Sequence, residues 1–186
     1  MTVIGDDGQP RCGWATSAPE YVEYHDTEWG KEIRDDRGLF ERMTLEGFQS
    51  GLSWITILRK RENFRTAFAH FDPEVIAKFG SDDFDRLMAD QGIVRNRLKI
   101  NATISNARAL LELDEGAFTE LLWSFRPATQ KVPQKLGDVP ATTPESVAMS
   151  KALKKNGFVF VGPTTAYALM QATGIVNDHL ATCIAR

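Results

Sequence analysis

Two cysteines and three histidines are the soft metal donors of this 186-residue chain, and four of the five sit towards its ends. Cys12 and His25 lie near the beginning, His179 and Cys183 near the end. Residues four apart on a helix face the same way, so His179 and Cys183 can reach one ion together. Two thiolates and two imidazoles fill the tetrahedral shell of a structural zinc, a site with no open position for substrate. An ion held by all four would join the two ends of the chain. The spacing is not that of a zinc finger, and on the residues alone two other readings stay open. The thiols can be inert with unrelated histidines, or they can pair as a disulfide. A disulfide suits a secreted chain, whereas MTVIGDDGQPRCG has no basic start followed by an apolar run. A cytoplasmic protein is expected.

A second stretch with chemistry in it is LEGFQSGLSW, residues 45–54. Glu46 lies in an apolar helix pattern, where an unpaired carboxylate is costly. Trp14, Tyr21, Tyr24 and Trp54 supply aromatics from nearby sequence. Together they can sandwich a planar ring, with Glu46 accepting hydrogen bonds from ring N–H groups. Aromatic faces and a carboxylate also suit a cationic heterocycle. The bland alternative is a set of core aromatics beside an exposed Glu.

The third is basic. From Gln91 to Leu111 there are four basic residues and no acid, although the chain carries a formal net charge of −3. The order is a short helix, then GIVRNR, then a longer helix. A Gly-containing turn between two helices exposes backbone N–H groups that can hold a phosphate oxygen. Gly92 with Arg95, Arg97 and Lys99 fits a helix-hairpin-helix element, which grips the DNA backbone without reading sequence. It also fits an ordinary helix–helix connection. RKRENFR at 59–65 and KALKK at 151–155 are further basic clusters, and such runs are usually solvated helix faces.

The elements that must position these groups read as helical almost throughout. Residues 1–10 are polar and Gly-containing and are expected to be a flexible leader, with one domain over 11–186. Asp36 begins a long helix through Phe48. Ser53 can cap the next, and Asp72-Pro73-Glu74 and Ser81-Asp82-Asp83 open two more. Residues 96–113 form a helix with Leu98, Ala102, Ile104, Ala107 and Leu111 available for its apolar face. Gly116 precedes another helix, Pro144 starts the one that Gly157 stops, and Gly162-Pro163 starts TTAYALMQATG. Asn177 can cap a last helix, DHLATCIA. FVFVG is the one β-like run, so the expected class is all-α. A hydrophobic content of 42% is that of an ordinary globular domain, and no apolar run reaches the roughly 18 residues of a membrane span.

Several of these motifs, in this order, are similar to one family. RCGW (11–14), YHDTEWG (24–30), LEGFQSGLSWITILRKRENFR (45–65), GIVRNRLKI (92–100), WSF (123–125), SKALKKNGFVFVG (150–162) and NDH (177–179) resemble the constitutive bacterial 3-methyladenine DNA glycosylase I family. That family is part of the helix-hairpin-helix glycosylase superfamily. The resemblance covers about residues 11–183. It implies excision of 3-methyladenine from alkylated double-stranded DNA by base flipping, with no lyase step, and a helix-hairpin-helix element at about 82–113. It implies one structural zinc on Cys12, His25, His179 and Cys183, a base-recognising and catalytic Glu46, and pocket aromatics Trp14, Tyr21, Tyr24 and Trp54. Gln49 and Leu52 of the QSGL turn would fill the space the flipped base leaves. Methylation at N3 makes adenine a cation, so its glycosidic bond needs less acid–base help. The alternative is a noncatalytic protein that binds alkylated DNA, and it would release no free base. A zinc hydrolase would need an open coordination position, which four protein ligands do not leave. A monomer satisfies all of this.

Overall fold

Four of the nine helices start where the N-cap side chain replaces a backbone partner that the first turn lacks, and Ser53, expected to cap one, makes no such bond. The computed structural model describes residues 1–186. It contains β1 (Thr2–Ile4), β2 (Pro10–Cys12), α1 (Pro19–Thr27), α2 (Asp36–Gln49), α3 (Trp54–Ala67), α4 (Pro73–Ile76), α5 (Ser81–Ala89), α6 (Arg97–Leu111), α7 (Ala117–Trp123), α8 (Pro144–Lys155) and α9 (Pro163–Ala172). Asp35 caps α2 by accepting from the Gly38 N–H at 2.7 Å, and Asp72 caps α4 through the Glu74 N–H at 3.0 Å. Asn96 caps α6, and Thr143 with Ser146 forms a reciprocal cap on α8.

The centre of the molecule is α2, which packs against α3, α6, α7 and α9. Its run from Arg42 to Phe48 is buried without a break, the pattern of a helix enclosed on nearly all sides. Phe48 leads into a row of rings, Phe64, Phe68 and Phe71, with centroids 4.7 to 6.3 Å apart between neighbours. One polar latch fixes the far end of α2. Asp36 accepts from the Gly116 and Thr119 N–H groups and from the Thr119 hydroxyl, which ties α7 to α2.

Four expectations change. Residues 1–10 are not a flexible leader: β1 pairs antiparallel with β2, Thr2 opposite Cys12. The β-branched triplet Thr2-Val3-Ile4 and a turn at Gly8 (φ 77°) supply what a hairpin needs. The fold is therefore mostly helical with one small hairpin, and not purely α. FVFVG is no strand. Phe160 takes φ 62°, and the amide side chain of Asn106 replaces a partner strand by bonding Val159 at both its N–H and its carbonyl, 2.8 and 3.0 Å. DHLATCIA forms successive turns rather than a helix. On α6, Leu98 and Leu111 face outwards while Ile100, Thr103 and Leu110 turn in. No helix is long and apolar enough to cross a membrane.

Asp36→Asn leaves at least one buried-side N–H without its acceptor. We expect a loss of about 2 kcal/mol in urea unfolding, with the base cavity described below intact.

Candidate functional site

Glu46 occupies the last turn of α2 and is 6% exposed. No protein donor reaches its carboxylate. Burial raises its pKa to about 7, against the opposing pull of the Arg42 guanidinium one turn earlier. Arg42 itself is held by Glu28 at 2.5 Å and lies 3.4 Å from the Tyr24 hydroxyl. Arg61 grips the same Glu28 with both arms, at 2.6 and 2.8 Å. Burial works to raise the Glu28 carboxyl, but Arg61 and Arg42 outweigh it and hold it below the usual range. The result is an anchored ion network behind the cavity and a lone carboxylate facing into it.

The cavity measures about 550 Å³ and is lined by Trp14, Tyr21, Tyr24, Trp29, Glu46, Gln49, Ser53, Trp54, Leu136, Val139, Ala168, Gln171 and Asp178. The five pocket residues read from sequence thus converge in one place. Tyr24 and Trp54 lie 5.3 Å apart, and Trp14 meets Tyr21 edge-on at 5.5 Å. The Tyr21 hydroxyl accepts from the Ile55 N–H at 2.8 Å, which caps α3 and fixes Trp54 at its first turn. The Trp54 indole N–H is buried with no protein partner. A buried acceptor, an unpartnered donor and aromatic faces form a cage for a planar, positively charged heterocycle.

Seven lining residues were not anticipated as site residues, Trp29 and Asp178 among them. Trp29 packs on Trp14 at 5.1 Å and on His179 at 4.7 Å. Asp178 accepts from Tyr167 at 2.6 Å, Gln171 at 2.8 Å and Gln130 at 2.7 Å. The EWG and NDH motifs contained both, but a motif does not say which member faces a cavity.

Beside the cage, the donor atoms of Cys12, His25, His179 and Cys183 all lie within 4.8 Å of one another, and all four residues are buried. They converge although His179 and Cys183 sit on turns. Gly30 (φ 79°) makes room, since a Cβ there would stand 3.0 Å from the His179 ring. For zinc bonds of about 2.0–2.1 Å to N and 2.3 Å to S, tetrahedron edges come to roughly 3.3 Å between nitrogens and 3.6 Å between N and S. The two imidazole nitrogens are 3.2 Å apart, and the Cys183 sulfur is 3.3 and 3.6 Å from them. Cys12 Sγ lies 4.0 Å from His179 Nδ1. Outer partners are also present: Asp26 at 2.7 Å from His25 Nδ1 and the Trp29 carbonyl at 3.0 Å from His179 Nε2. Burial lowers the His179 pKa to about 4, leaving the neutral imidazole that ligates metal, while burial pushes the Cys12 thiol up to about 12. The donor set fits a divalent cation, whose charge two buried thiolates would need.

The basic segment needs a correction. Arg95 and Arg97 are exposed, with no carboxylate within ion-pair distance, and Arg97 lies over the Phe84 ring at 5.0 Å. Lys99 is not available to a phosphate: it is 7% exposed and donates to the Phe48 and Ser50 carbonyls at 2.7 and 2.6 Å. Its place one turn into α6, against the end of α2, makes it the tether of the QSGL turn. The Gly92 N–H is likewise taken, by Asp90 at 2.7 Å. The amides of Gln91, Ile93, Val94, Arg95, Arg97 and Leu98 have no protein acceptor. In the tethered turn, Gln49 lines the cavity and Leu52 is exposed.

A family model described as methyladenine glycosylase matches residues 14–186. The chain belongs to the methyladenine glycosylase family. It is 49% identical to the DNA-3-methyladenine glycosylase 1 of Escherichia coli K12, over 93% of this chain and 95% of that one. It is 48% identical to the DNA-3-methyladenine glycosylase of Haemophilus influenzae Rd, over 93% and 96%. Among solved structures, a 3-methyladenine DNA glycosylase I superposes with a TM-score of 0.90 at 48% identity, covering 95% of this chain and 99% of that one. The Staphylococcus aureus glycosylase, whose structure was solved for its recognition of 3-methyladenine, gives 0.88 at 35% identity over 94% and 95%.

The burial of Glu46 has a measurable signature. A carboxyl whose folded pKa is raised to about 7 destabilises the fold above that pH, and the effect disappears below the unfolded value near 4.5. Glu46→Gln removes this dependence. Its stability relative to the wild type should therefore grow by roughly 2–3 kcal/mol between pH 5 and pH 8, read as the shift in urea midpoints of the two proteins.

Proposed function

We propose that this glycosylase hydrolyses the N-glycosidic bond of 3-methyladenine in alkylated double-stranded DNA, with Glu46 as its catalytic carboxylate. One observation carries the assignment of roles: the buried Glu46 side chain has no partner in the protein and faces an aromatic cavity. Family membership supports the activity, and a related glycosylase I has been crystallised in complex with 3-methyladenine.

Alkylated bases pair and stack less well, so extruding one from the duplex costs less than extruding a normal base. Within the cavity, Trp14, Tyr21, Tyr24 and Trp54 enclose the cationic ring, and Glu46 accepts from its N–H groups. The approach of that cation lowers the pKa of Glu46 and draws it into its ionised form. As the C1′–N9 bond breaks, its electron pair goes to the base, which leaves neutral, and positive charge passes to the sugar. The carboxylate stabilises that charge electrostatically. Water adds its oxygen to C1′ and loses a proton to solvent. No lysine adduct is needed.

Gln49 and Leu52, on the turn tethered by Lys99, occupy the gap left in the duplex in this reading. Arg95 and Arg97, with the open amides beside them, take phosphates in the manner of a helix-hairpin-helix. The Cys12, His25, His179 and Cys183 cluster would hold one structural Zn²⁺, which supplies charge neutralisation and cross-links the chain's ends and takes no part in the reaction.

Two measurements test these roles. On methylated DNA, Glu46→Gln should cut release of 3-methyladenine by roughly 100-fold while its stability at pH 8 is at least that of the wild type. Undiminished release would remove Glu46 from the chemistry. Metal analysis should give about one zinc per chain, lost in Cys183→Ser together with several degrees of Tm. A metal-free preparation as stable as the zinc-loaded one would end the assignment.

A further inference from the structure

The basic run RKRENFR at 59–65 is not a free solvated face, because each of its bases is engaged within the protein. Arg59 bonds Glu20 at 2.9 Å, Lys60 donates to the Gln91 carbonyl at 3.0 Å, and Arg65 bonds Glu41 and Glu62 at 2.7 and 2.6 Å. Arg61 reaches from α3 to the end of α1, where it holds Glu28 with both arms. The same carboxylate takes Arg42 of α2. Two guanidiniums thus share one carboxylate, and all three side chains are mostly buried.

This sharing decides where Arg42 can go. Arg42 and Glu46 are one turn apart on α2, the spacing at which a guanidinium and a carboxylate meet. Away from water such a pair is strong, and it would consume the oxygens that face the cavity. Arg42 instead turns Nη2 to Glu28 and Nη1 towards the Tyr24 hydroxyl, with its guanidinium 5.2 Å from the centre of the Tyr24 ring. The other titratable groups around Glu46 are Tyr21 and Tyr24 from α1, Glu28 at its end, Arg61 from α3, and Asp178 with Tyr167 on the far segment. Lys99 of α6 is spent on the Phe48 and Ser50 carbonyls. None of these donates to the Glu46 carboxylate.

We infer that Glu28 is a positioning residue for base excision: by occupying Arg42 it leaves the Glu46 carboxylate free for the base. The inference rests on Glu46 being the group that meets 3-methyladenine. Arg61 makes the hold firm, since a carboxylate gripped from two sides cannot follow Arg42 round the helix. Arg42 keeps its influence through space, where its charge favours the ionised form of Glu46. The carboxyl can therefore shed its proton when a cationic ring enters. One guanidinium acts at a distance on a group that it must not touch.

Removing the Glu28 charge separates this role from a merely structural one. Glu28→Gln frees Arg42 to bond Glu46. Binding of free 3-methyladenine, read by tryptophan fluorescence, and its release from methylated DNA should both fall about tenfold or more, the effect of one charged hydrogen bond that must first break. Glu28→Gln/Arg42→Met removes the competitor as well and should regain most of that loss at pH 8. A structural role predicts the opposite, because the second substitution would add damage to the first. The Glu46 carboxyl carbon, followed by NMR and assigned by its absence in Glu46→Gln, should titrate at about 7 in the wild type and below 4.5 in Glu28→Gln. A wild-type Glu46 that titrates below 4.5 is already paired with Arg42 and overturns the inference, whether or not Glu28→Gln folds. A Glu28→Gln protein with wild-type binding and release overturns it too, as does a double variant that regains nothing. Undiminished release by Glu46→Gln would overturn the underlying reading instead.

Discussion

A carboxylate removed from water without a hydrogen-bond donor is the constraint around which the rest of the molecule is arranged. Glu46 sits on the most enclosed helix, in surroundings that make its ionised form unfavourable near neutrality. Such a group persists only if its neighbours are too well fixed to rearrange and supply a donor. Arg42 is the obvious candidate, and it is prevented from doing so by Glu28, which Arg61 also holds. The Tyr24 hydroxyl is turned towards Arg42, and Tyr21 is committed to the N-terminus of α3. Both hydroxyls act there as acceptors, and neither they nor the unpartnered Trp54 indole N–H reaches the carboxylate. The carboxylate stays available for a ligand that carries its own N–H groups and positive charge.

The aromatic wall and the donor cluster are one packed unit. Trp14 touches Tyr21, Tyr24, His25 and Trp29, and Trp29 packs on both histidines of the cluster. A shift of the cluster would move the cage. An ion held by the cluster would therefore set the shape of the cavity without touching the bond that breaks.

Residue type was a better guide than local geometry. The four soft donors could be picked out because so few exist, yet the helix invoked to bring His179 and Cys183 together is absent. Turns place them equally well, and a four-residue spacing does not distinguish the two. Glu46 was legible because a charge in an apolar pattern is anomalous. Lys99 was misassigned because a charge pattern shows sign but not burial, and two carbonyls at the end of α2 claim its ammonium. The hairpin at residues 2–12 was missed for a related reason. Three β-branched residues are a weak signal until the opposing strand is known. Asp178 was legible as part of a motif, but its place in the cavity depends on Gln130 and Tyr167, from distant parts of the chain.

The two ends of the chain are joined by more than the donor cluster. The Ile184 N–H donates to the Pro10 carbonyl at 2.8 Å, and Thr2 and Thr182 share a hydroxyl contact at 2.8 Å. Asp178, a wall of the cavity, belongs to the same late segment. During synthesis the cage therefore stays open until residues 177–184 have emerged and folded back onto the first hairpin. A chain without residues 177–184 lacks the Asp178 wall that confines a base. Closing the cavity is thus coupled to the docking of this late segment on the first hairpin.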